Sequence, residues 1–334
     1  MTDAAPSSGP VDVLVTGAAG FVGEALIEQL LAGGATVIGT DLRAGRFPTV
    51  RMDITDALEV AQVMERFAPR RVVHAAAIVD DRLPLAAHQK VNVEGTRNVL
   101  EVAAAHEVER FVQVSSIAAL GVSPPRGCTA ESPLCFDPAR PDHDGGHHGA
   151  AYFRTKAHSE ALVRTERRIE WAVVRPGDVY GPRSEPWVIR PLEMMRQKLP
   201  VILGDGSGRM APTFIDNLVD GLAAALTHPS AGGGIFTLHD GGEGVPYRTY
   251  FETLAQVGGA PKPRAMPRRV ALTAARVAVA AERFTGKAPP LTPGAVRYVT
   301  RRSSYSLEES QTVLGWSPRV PFAEAMASMR GKLG

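Results

Sequence analysis

The feature that most restricts the fold is an apolar run that leads directly into a glycine-rich turn and then a helix. Val11 to Thr16 has the composition of a buried strand, and Phe21 to Ala32 has helical spacing. The turn between them contains Gly17, Gly20 and Gly23 in a GxxGxxG pattern, not the GxGxxG form. Such glycines let the backbone approach a pyrophosphate, and the N–H groups at a helix start stabilise its charge. The segment predicts a dinucleotide-binding unit, although a purely structural turn would also explain its glycines.

Short β-branched runs alternate with longer amphipathic stretches through about the first two hundred residues. This alternation predicts an α/β fold, a Rossmann-type doubly wound parallel sheet, with a helix over Val93 to Ala105 after one of its strands. The predicted strands are Val11 to Thr16, Ala35 to Thr40, Arg71 to Ala76, Arg110 to Ser115, Glu170 to Arg175 and, returning later, Ile235 to His239.

After Pro176 the alternation lapses into a Pro- and Gly-rich region, and helices dominate from Tyr247 onward. We therefore expect a small, mostly helical C-terminal lobe over the carboxyl ends of the strands, where such sheets bind ligands. The expected division is a dinucleotide-binding domain at 10–178 with 211–240, a substrate-binding lobe at 179–210 with 241–330, and a disordered tail at 1–9.

Charge and targeting signals exclude several classes of protein. Lys plus Arg number 37 against 35 Asp plus Glu, without long runs of one sign, so a nucleic-acid partner is unsupported. Met1 to Pro10 lacks the apolar core of a secretory signal, and Cys128 with Cys135 fits a reducing, cytoplasmic location as two free thiols, with a disulfide as the alternative.

The longest mostly apolar stretch is too short to span a bilayer. Val270 to Ala281 is interrupted by Arg276 and falls well under the roughly 20 residues that a transmembrane helix needs. Its basic flank would allow peripheral contact with an anionic membrane, but an ordinary surface helix is the simpler interpretation.

Asp41 follows the second predicted strand, eighteen residues after Gly23. A carboxylate at this place accepts hydrogen bonds from the adenosine ribose hydroxyls and repels a 2′-phosphate, which favours NAD over NADP. Arg43 and Arg46 lie near enough in sequence to offer that phosphate a partner, and Asp41 could also simply cap its loop.

Tyr152 and Lys156 are four residues apart and so share one face of a helix. An ammonium beside a phenol favours the phenolate, which can exchange a proton with an alcohol or ketone. The pair also occurs by chance on exposed helices. Ser115 and Ser116 follow the strand from Arg110, where either hydroxyl could bond a substrate oxygen or satisfy turn amides.

The ordered motifs of the chain resemble those of the extended short-chain dehydrogenase/reductase superfamily over nearly its whole length. They are TGAAGFVG at 16–23, VVHAAA at 72–77, NVEGTRNV at 92–99, VSSIAALG at 114–121, YFRTK at 152–156 and RPGDVYGP at 175–182. The serine pair before Ile117 and the segment from Gly204 to Asp220 resemble the 3β-hydroxysteroid dehydrogenase-like branch more than the nucleotide-sugar epimerases.

The resemblance implies a role for each matching residue. Ser116 would be the catalytic serine, Tyr152 the acid/base, Lys156 the residue that lowers the tyrosine pKa and holds the nicotinamide ribose, and Asn92 a proton-relay anchor or a helix cap. The implied cofactor site comprises Gly17, Gly20, Phe21, Val22, Gly23, Asp41, Arg43, Asp53, Ile54, Ala75, Ala76, Ala77, Asn92, Tyr152, Lys156, Pro176 and Val179.

The sequence departs from the family pattern in two places. Ala211 and Pro212 replace the usual Asp and Phe, which affects the shape of the substrate pocket. His143, His147 and His148 lie in a polar segment at 142–149, where a metal site is conceivable and a polar loop near the active-site mouth is favoured. Enzymes of this kind need no metal.

The leading hypothesis is an NAD-dependent oxidoreductase that interconverts a secondary alcohol and a ketone on an apolar, sterol-like or other hydroxy/keto substrate. The alternative is a nucleotide-sugar epimerase or dehydratase with tightly bound NAD, for which Arg209 has the spacing to Asp216 of a phosphate-binding arginine. A nucleotide sensor without turnover is disfavoured, because all four catalytic positions are filled. By resemblance, the helices at Val93 to Ala105 and Tyr152 to Arg167 would pair in a homodimer.

Overall fold

The computed structural model describes residues 9–80, 83–136, 151–285, 289 and 291–333. The expected tail at 1–9 lies outside these ranges except for Gly9. In chain order the strands are β1 Val13–Thr16, β2 Val37–Asp41, β3 Thr49–Arg51, β4 Arg71–His74, β5 Arg110–Val114, β6 Glu170–Pro176, β7 Asp178–Tyr180, β8 Pro200–Leu203, β9 Arg209–Met210, β10 Pro212–Phe214, β11 Ile235–Leu238, β12 Val245–Pro246 and β13 Arg264–Met266.

Helices separate most of these strands. They are α1 Phe21–Ala32, α2 Ala57–Phe67, α3 Leu85–His88, α4 Gly95–Ala105, α5 Ala151–Arg164, α6 Arg190–Arg196, α7 Ile215–Thr227, α8 Tyr247–Val257, α9 Arg268–Thr285, α10 Pro293–Val299, α11 Glu308–Thr312 and α12 Phe322–Ser328. Short π-helical segments lie at Gln89–Glu94 and Glu185–Ile189, and 3₁₀ turns at Ile117–Leu120 and Pro229–Ala231.

Seven of the described strands form one parallel sheet in the order β11-β6-β5-β4-β1-β2-β3. The order reverses between β1 and β4, since β2 and β3 lie to one side of β1 and the later strands to the other. Such a reversal opens a crevice at the carboxyl ends of the strands, which is where doubly wound sheets bind their ligands. The Rossmann-type fold predicted from the sequence is confirmed.

Both faces of the sheet are covered, and β1 shows how. Val13 and Val15 pack into the core beneath α1 and α7, whereas Leu14 points into the core beneath α2 and α4. All three side chains are 2% exposed or less. Because alternate residues of a strand face opposite sides, only an almost uninterrupted apolar run suits such a strand.

The six predicted strands are present with bounds shifted by one to two residues, whereas β3 of the large sheet and the short strands β7 to β10, β12 and β13 were not predicted. The C-terminal part is mostly helical, as expected, with α8 to α12 accompanied by the short strands β12 and β13. The helix predicted from Val93 instead begins as α3 at Leu85 and passes through the π-helical segment before α4.

Candidate active site

Most of the predicted site residues lie at the carboxyl ends of six neighbouring parallel strands, whereas Asn92, Tyr152 and Lys156 lie on helical segments. This follows from the pairing of the strands, because parallel neighbours end at the same edge of a sheet. In spatial order, Asp53 follows β3, Asp41 ends β2, the glycine turn follows β1, Ala75 to Ala77 follow β4, Ser115 and Ser116 follow β5, and Pro176 ends β6. Gly17 and Pro176, which are 159 residues apart in the sequence, are thus brought to the same edge of the sheet.

The glycine turn is pressed tightly against its surroundings. A Cβ at Gly17, where φ is +72°, would lie 2.7 Å from the nitrogen of Ala76, and one at Gly23 would lie 2.2 Å from the Gly17 carbonyl oxygen. Gly20 begins α1 without a side chain to accept its first N–H groups, whereas the Asp56 carboxylate caps α2 by accepting from Leu58 N–H. The start of α1, beside Phe21 and Val22, therefore suits an anion such as a pyrophosphate.

Asp41 lies directly beside the glycine turn. Its Oδ2 accepts the Ala19 N–H at 3.1 Å, and its Oδ1 accepts the Arg43 N–H at 3.1 Å. The exposed Arg43 guanidinium stays 3.9 Å from this carboxylate. Arg46 is held in a two-point ion pair with Glu28 at 2.9 and 3.0 Å. The carboxylate suits ribose hydroxyls, and one of the two arginines that could receive a 2′-phosphate is already paired.

Asp53 and Ile54 form the outer end of the crevice. Asp53 Oδ1 accepts the Thr55 N–H at 2.9 Å, and its own N–H donates to Glu59 at 2.7 Å. Ile54 is 7% exposed and packs against Gly95, where an added Cβ would lie 2.6 Å from Ile54 Cδ1. The pair forms a fixed, partly apolar wall next to the start of α4.

Asn92 occupies the π-helical segment and connects the loop after β4 to α5. Its Oδ1 accepts the Ile78 N–H at 2.7 Å, and its Nδ2 donates to the Ile78 carbonyl at 3.0 Å and to Thr155 Oγ1 at 3.1 Å. The side chain is nearly inaccessible, so it acts here as a fastening between two site segments. A single π turn within a helix is frequent at functional sites.

His74 is a site component that sequence reasoning missed. Thr96 Oγ1 donates to the Asn92 carbonyl at 2.7 Å, so it accepts from His74 Nε2 at 3.0 Å. His74 Nδ1 then accepts from Thr16 Oγ1 at 2.8 Å, and Thr16 in turn accepts the Ala76 N–H at 3.2 Å. Complete burial, with a smaller contribution from nearby Lys156, lowers the pKa of His74 to about 3. The ring is therefore neutral and joins β1, β4 and α4 below the crevice.

Lys156 is buried on the inner face of α5 and directed at the end of β5. Its Nζ donates to the Val114 carbonyl at 2.8 Å and lies 6.0 Å from the centroid of the Tyr152 ring. Burial lowers the pKa of Lys156 to about 8, an effect opposed by Glu160. Tyr152, by contrast, is partly exposed. The ammonium is thus placed near the phenol, as the four-residue spacing predicts.

Ser115 and Ser116 have different partners. Ser116 Oγ accepts the Ala118 N–H at 3.1 Å and caps the 3₁₀ turn, which uses a lone pair and not the hydroxyl hydrogen. Ser115 Oγ donates to Glu160 at 2.7 Å inside the core. The Ser115 O–H is thus given to Glu160, whereas the bond that caps the 3₁₀ turn uses only an oxygen lone pair of Ser116.

A buried ion pair extends from Ser115 across the site. Arg175 Nη2 lies 2.5 Å from Glu160 Oε1, and both side chains are 0% exposed. Sequence reasoning missed both residues. The position of Glu160, one helical turn after Lys156, was the available signal.

A second buried cluster joins the end of β6 to the C-terminal part. Asp178 accepts from Tyr298 Oη and from Arg301 Nη2, each at 2.7 Å. Tyr298 packs edge-on against Phe153, the residue after Tyr152, with ring centroids 5.4 Å apart. Pro176 is buried and Val179 half-buried in the same segment as Asp178. The cluster of Asp178, Tyr298 and Arg301 was not predicted from the sequence.

Several predictions fall on other parts of the chain. His143, His147 and His148 lie outside the described residues, which contain no cluster of metal-ligating side chains. Cys128 and Cys135 are both reduced and are not joined in a disulfide. Arg209 donates to the Gly244 carbonyl at 3.1 Å. Within the described ranges no helix is long and apolar enough to cross a membrane.

Comparisons with known proteins identify the family of the chain. The NAD dependent epimerase/dehydratase family matches residues 13–238. A UDP-glucose 4-epimerase from Mycolicibacterium smegmatis is 29% identical, covering 94% of this chain and 96% of its own. A 2-alkyl-3-oxoalkanoate reductase from Stenotrophomonas maltophilia is 28% identical, covering 95% and 98%. A 3β-hydroxysteroid dehydrogenase/decarboxylase from Arabidopsis thaliana is 25% identical, covering 87% and 67%.

The fold comparison gives the same result. The crystal structure of Thermus thermophilus UDP-glucose 4-epimerase in complex with NAD superposes with a TM-score of 0.70 at 26% identity, over 95% of this chain and 96% of that one. Together with the motifs and the crevice, the match to residues 13–238 shows that the chain belongs to the NAD dependent epimerase/dehydratase family of extended short-chain dehydrogenases/reductases, whose cofactor is NAD.

Proposed function

We propose that the chain is an NAD-dependent oxidoreductase that interconverts a secondary alcohol and a ketone on an apolar substrate, with Ser116, Tyr152 and Lys156 as catalytic residues. The observation that carries the proposal is the buried Lys156 ammonium, which bonds the Val114 carbonyl at 2.8 Å on the same helix as Tyr152. Ser116 follows that strand by two residues.

The residues of the crevice fit the cofactor. The uncapped start of α1 at Gly20 would hold the pyrophosphate, Asp41 the adenosine ribose, and Asp53 with Ile54 the adenine. Ala75 to Ala77 and Lys156 would hold the second ribose, and Pro176 with Val179 would face the nicotinamide. When bound, NAD supplies the hydride acceptor, or in its reduced form the donor.

Proton transfer is the task of the protein side chains. Ser116 would orient the substrate oxygen through its hydroxyl, and Tyr152 would take the proton of an alcohol or return one to a ketone. The Lys156 charge favours the phenolate form of Tyr152. Asn92 would keep the loop after β4 and helix α5 in register, through its bonds to Ile78 and Thr155.

Two features favour an apolar substrate. Val79 and Leu83, on the loop after β4, are 64% and 43% exposed and would present apolar surface near the crevice. Arg301, in the C-terminal part of the chain, is neutralised by Asp178 and fully buried, so it is not offered to a phosphate group. The similarity to the alkyl-oxoalkanoate reductase and the hydroxysteroid dehydrogenase points the same way.

The second candidate is a nucleotide-sugar epimerase or dehydratase with tightly bound NAD. The similarity to two UDP-glucose 4-epimerases, one in sequence and one in fold, favours it. In such an enzyme the same serine, tyrosine and lysine would begin the reaction, and the cofactor would be regenerated in each cycle. Arg209, which is half-buried and donates to the Gly244 carbonyl, is a described residue that could turn towards a diphosphate.

Net production of reduced cofactor separates the two candidates. Purified protein with NAD is offered hydroxysteroids and 2-alkyl-3-hydroxyalkanoates in one series and UDP-sugars in another, and NADH absorbance is followed. We expect net NADH production from an apolar alcohol with the wild-type protein. We expect none with the Tyr152→Phe variant, which keeps the aromatic ring but lacks the hydroxyl that exchanges the proton. Turnover of a UDP-sugar without net NADH would replace the proposal by the alternative.

We infer a homodimer through α4 and α5, a cytoplasmic location, and the division into a cofactor domain at 10–178 with 211–240 and a substrate lobe at 179–210 with 241–330. Light scattering after gel filtration would test the dimer, since a monomer mass would contradict it.

A further inference from the structure

We propose that Glu160 is a positioning residue of this active site, whose carboxylate fastens helix α5 to the ends of strands β5 and β6. The proposal rests on the proposed function insofar as Tyr152, Lys156 and Ser116 are the catalytic residues. Glu160 itself is fully buried and belongs to the core of the protein.

The carboxylate links all three elements through hydrogen bonds. From α5, Glu160 Oε2 accepts Ser115 Oγ–H on the β5 side at 2.7 Å. Its Oε1 accepts Arg175 Nη2–H on β6 at 2.5 Å. Each contacted residue directly precedes a site residue, Ser116 in one case and Pro176 in the other. A displacement of the carboxylate would therefore shift parts of the site on three separate segments.

Arg175 makes the linkage rigid. Its Nη1 donates to the carbonyls of Thr129 and Ala130, at 3.3 and 3.1 Å. Its Nε and Nη2 donate to the Glu160 carboxylate. A guanidinium that is 0% exposed needs a counter-charge, and Glu160 supplies it in a forked arrangement. Arg164 adds a weaker contact to Glu160 at 3.8 Å from the half-buried face of α5.

Glu160 also acts on the charge of Lys156. The ionisable groups near that amine are Glu160 and Tyr152 on its own helix and neutral His74 on β4. Burial lowers the pKa of Lys156, and the Glu160 charge opposes that fall. Without the negative charge the amine would lose its proton at a lower pH, so Tyr152 would lose its neighbouring cation.

The test uses two variants that separate charge from distance. Glu160→Gln keeps the size and an acceptor for Ser115 but removes the charge, whereas Glu160→Asp keeps the charge and withdraws it by one methylene. Glu170→Gln is the matched control, because Glu170 pairs with Arg110 on the same two strands at their opposite ends. Folding of each variant is checked by circular dichroism and thermal unfolding.

We expect Glu160→Gln to move the alkaline limb of the pH profile of kcat to lower pH. We expect Glu160→Asp to leave that limb in place and to lower kcat by about tenfold or more, because small misplacements of catalytic groups are costly. Glu170→Gln should change neither. A folded Glu160→Gln with wild-type kcat and an unmoved limb would overturn the proposal, and so would wild-type kcat in Glu160→Asp if the Gln variant fails to fold.

A second readout does not depend on turnover. The titration of Lys156 is followed by NMR of protein labelled with ¹³C,¹⁵N-lysine, through the shifts of its Cε and Nζ, with Lys156→Arg identifying the signal. A lower midpoint in Glu160→Gln than in the wild-type protein supports the role of Glu160 even if no alcohol is oxidised, which would instead refute the proposed function. Equal midpoints in the two proteins would overturn the electrostatic part of the role.

Discussion

Replacing His74 by Gln should make the protein less sensitive to acid. Burial, assisted by Lys156, lowers the pKa of His74 from the usual 6.5 to about 3. As the pH falls below 6.5 the unfolded chain binds a proton on this ring and the folded chain does not, so stability is lost between pH 6.5 and about 3. Over the whole window the loss is about 5 kcal/mol, at about 1.4 kcal/mol per pH unit.

Gln can replace the donor to Thr96 Oγ1 and has no titration in this range. We expect His74→Gln to be less stable at pH 7 by about 1 to 2 kcal/mol, because one hydrogen bond is lost or weakened. Between pH 6 and pH 4.5, however, the free energy of unfolding of the wild-type protein should fall by about 2 kcal/mol more than that of the variant, at about 1.4 kcal/mol per pH unit.

Urea unfolding monitored by tryptophan fluorescence at several pH values measures this difference directly. Other groups that titrate in both proteins cancel in the comparison. The control is His106→Gln, since His106 is exposed at the end of α4 and lies outside the buried chain of bonds. If the stability curves of the wild-type and His74→Gln proteins ran parallel from pH 7 to pH 4, the neutral, buried state of His74 would be refuted.

Three further predictions concern the cofactor and the lysine. Gly23→Ala should lower the free energy of unfolding by about 1 to 3 kcal/mol or more, because its Cβ would lie 2.2 Å from the Gly17 carbonyl oxygen. Calorimetry should detect no NAD binding by this variant. The control Gly33→Ala, whose Cβ would lie 3.4 Å from its nearest atom, should bind NAD normally. Asp41→Ala should lower the ratio of NAD to NADP specificity (kcat/KM) by about tenfold or more, and an unchanged ratio would contradict its role. Lys156 should lose its charge as the pH rises through about 8, and activity should fall with it. Between pH 8 and pH 10.5 the unfolded chain still holds the proton that the folded chain has lost, so the free energy of unfolding should rise with pH in this range. Lys156→Met should lack that rise.

The sequence predicted the parts of the site that depend on local pattern. The helix Phe21–Ala32 has the predicted bounds, and the glycine turn, Asp41 and Ser116 lie at strand ends where the apolar runs stop. Strand β3 escaped prediction because Thr49–Arg51 is three residues long and never fully buried, so it has no apolar run. The π turn at Asn92 has no sequence period of its own.

Contacts between distant segments could not be predicted in the same way. His74 meets Thr16 and Thr96, which are 58 and 22 residues away, and Asp178 meets Arg301 across 123 residues. Such pairs follow from strand order and helix packing, which composition and spacing do not define. Glu160 is intermediate, since helical periodicity places it beside Lys156 but only the strand order reveals Arg175.

The pairing of Asp178 with Arg301 limits how this scaffold can be recombined. One partner lies just beyond β6 and the other follows α10, and both are buried. Exchanging the C-terminal segment for that of a related protein without its matching acid or base would leave a lone charge in the interior. A chimaera that folds must therefore take Asp178, Tyr298 and Arg301 from the same parent protein.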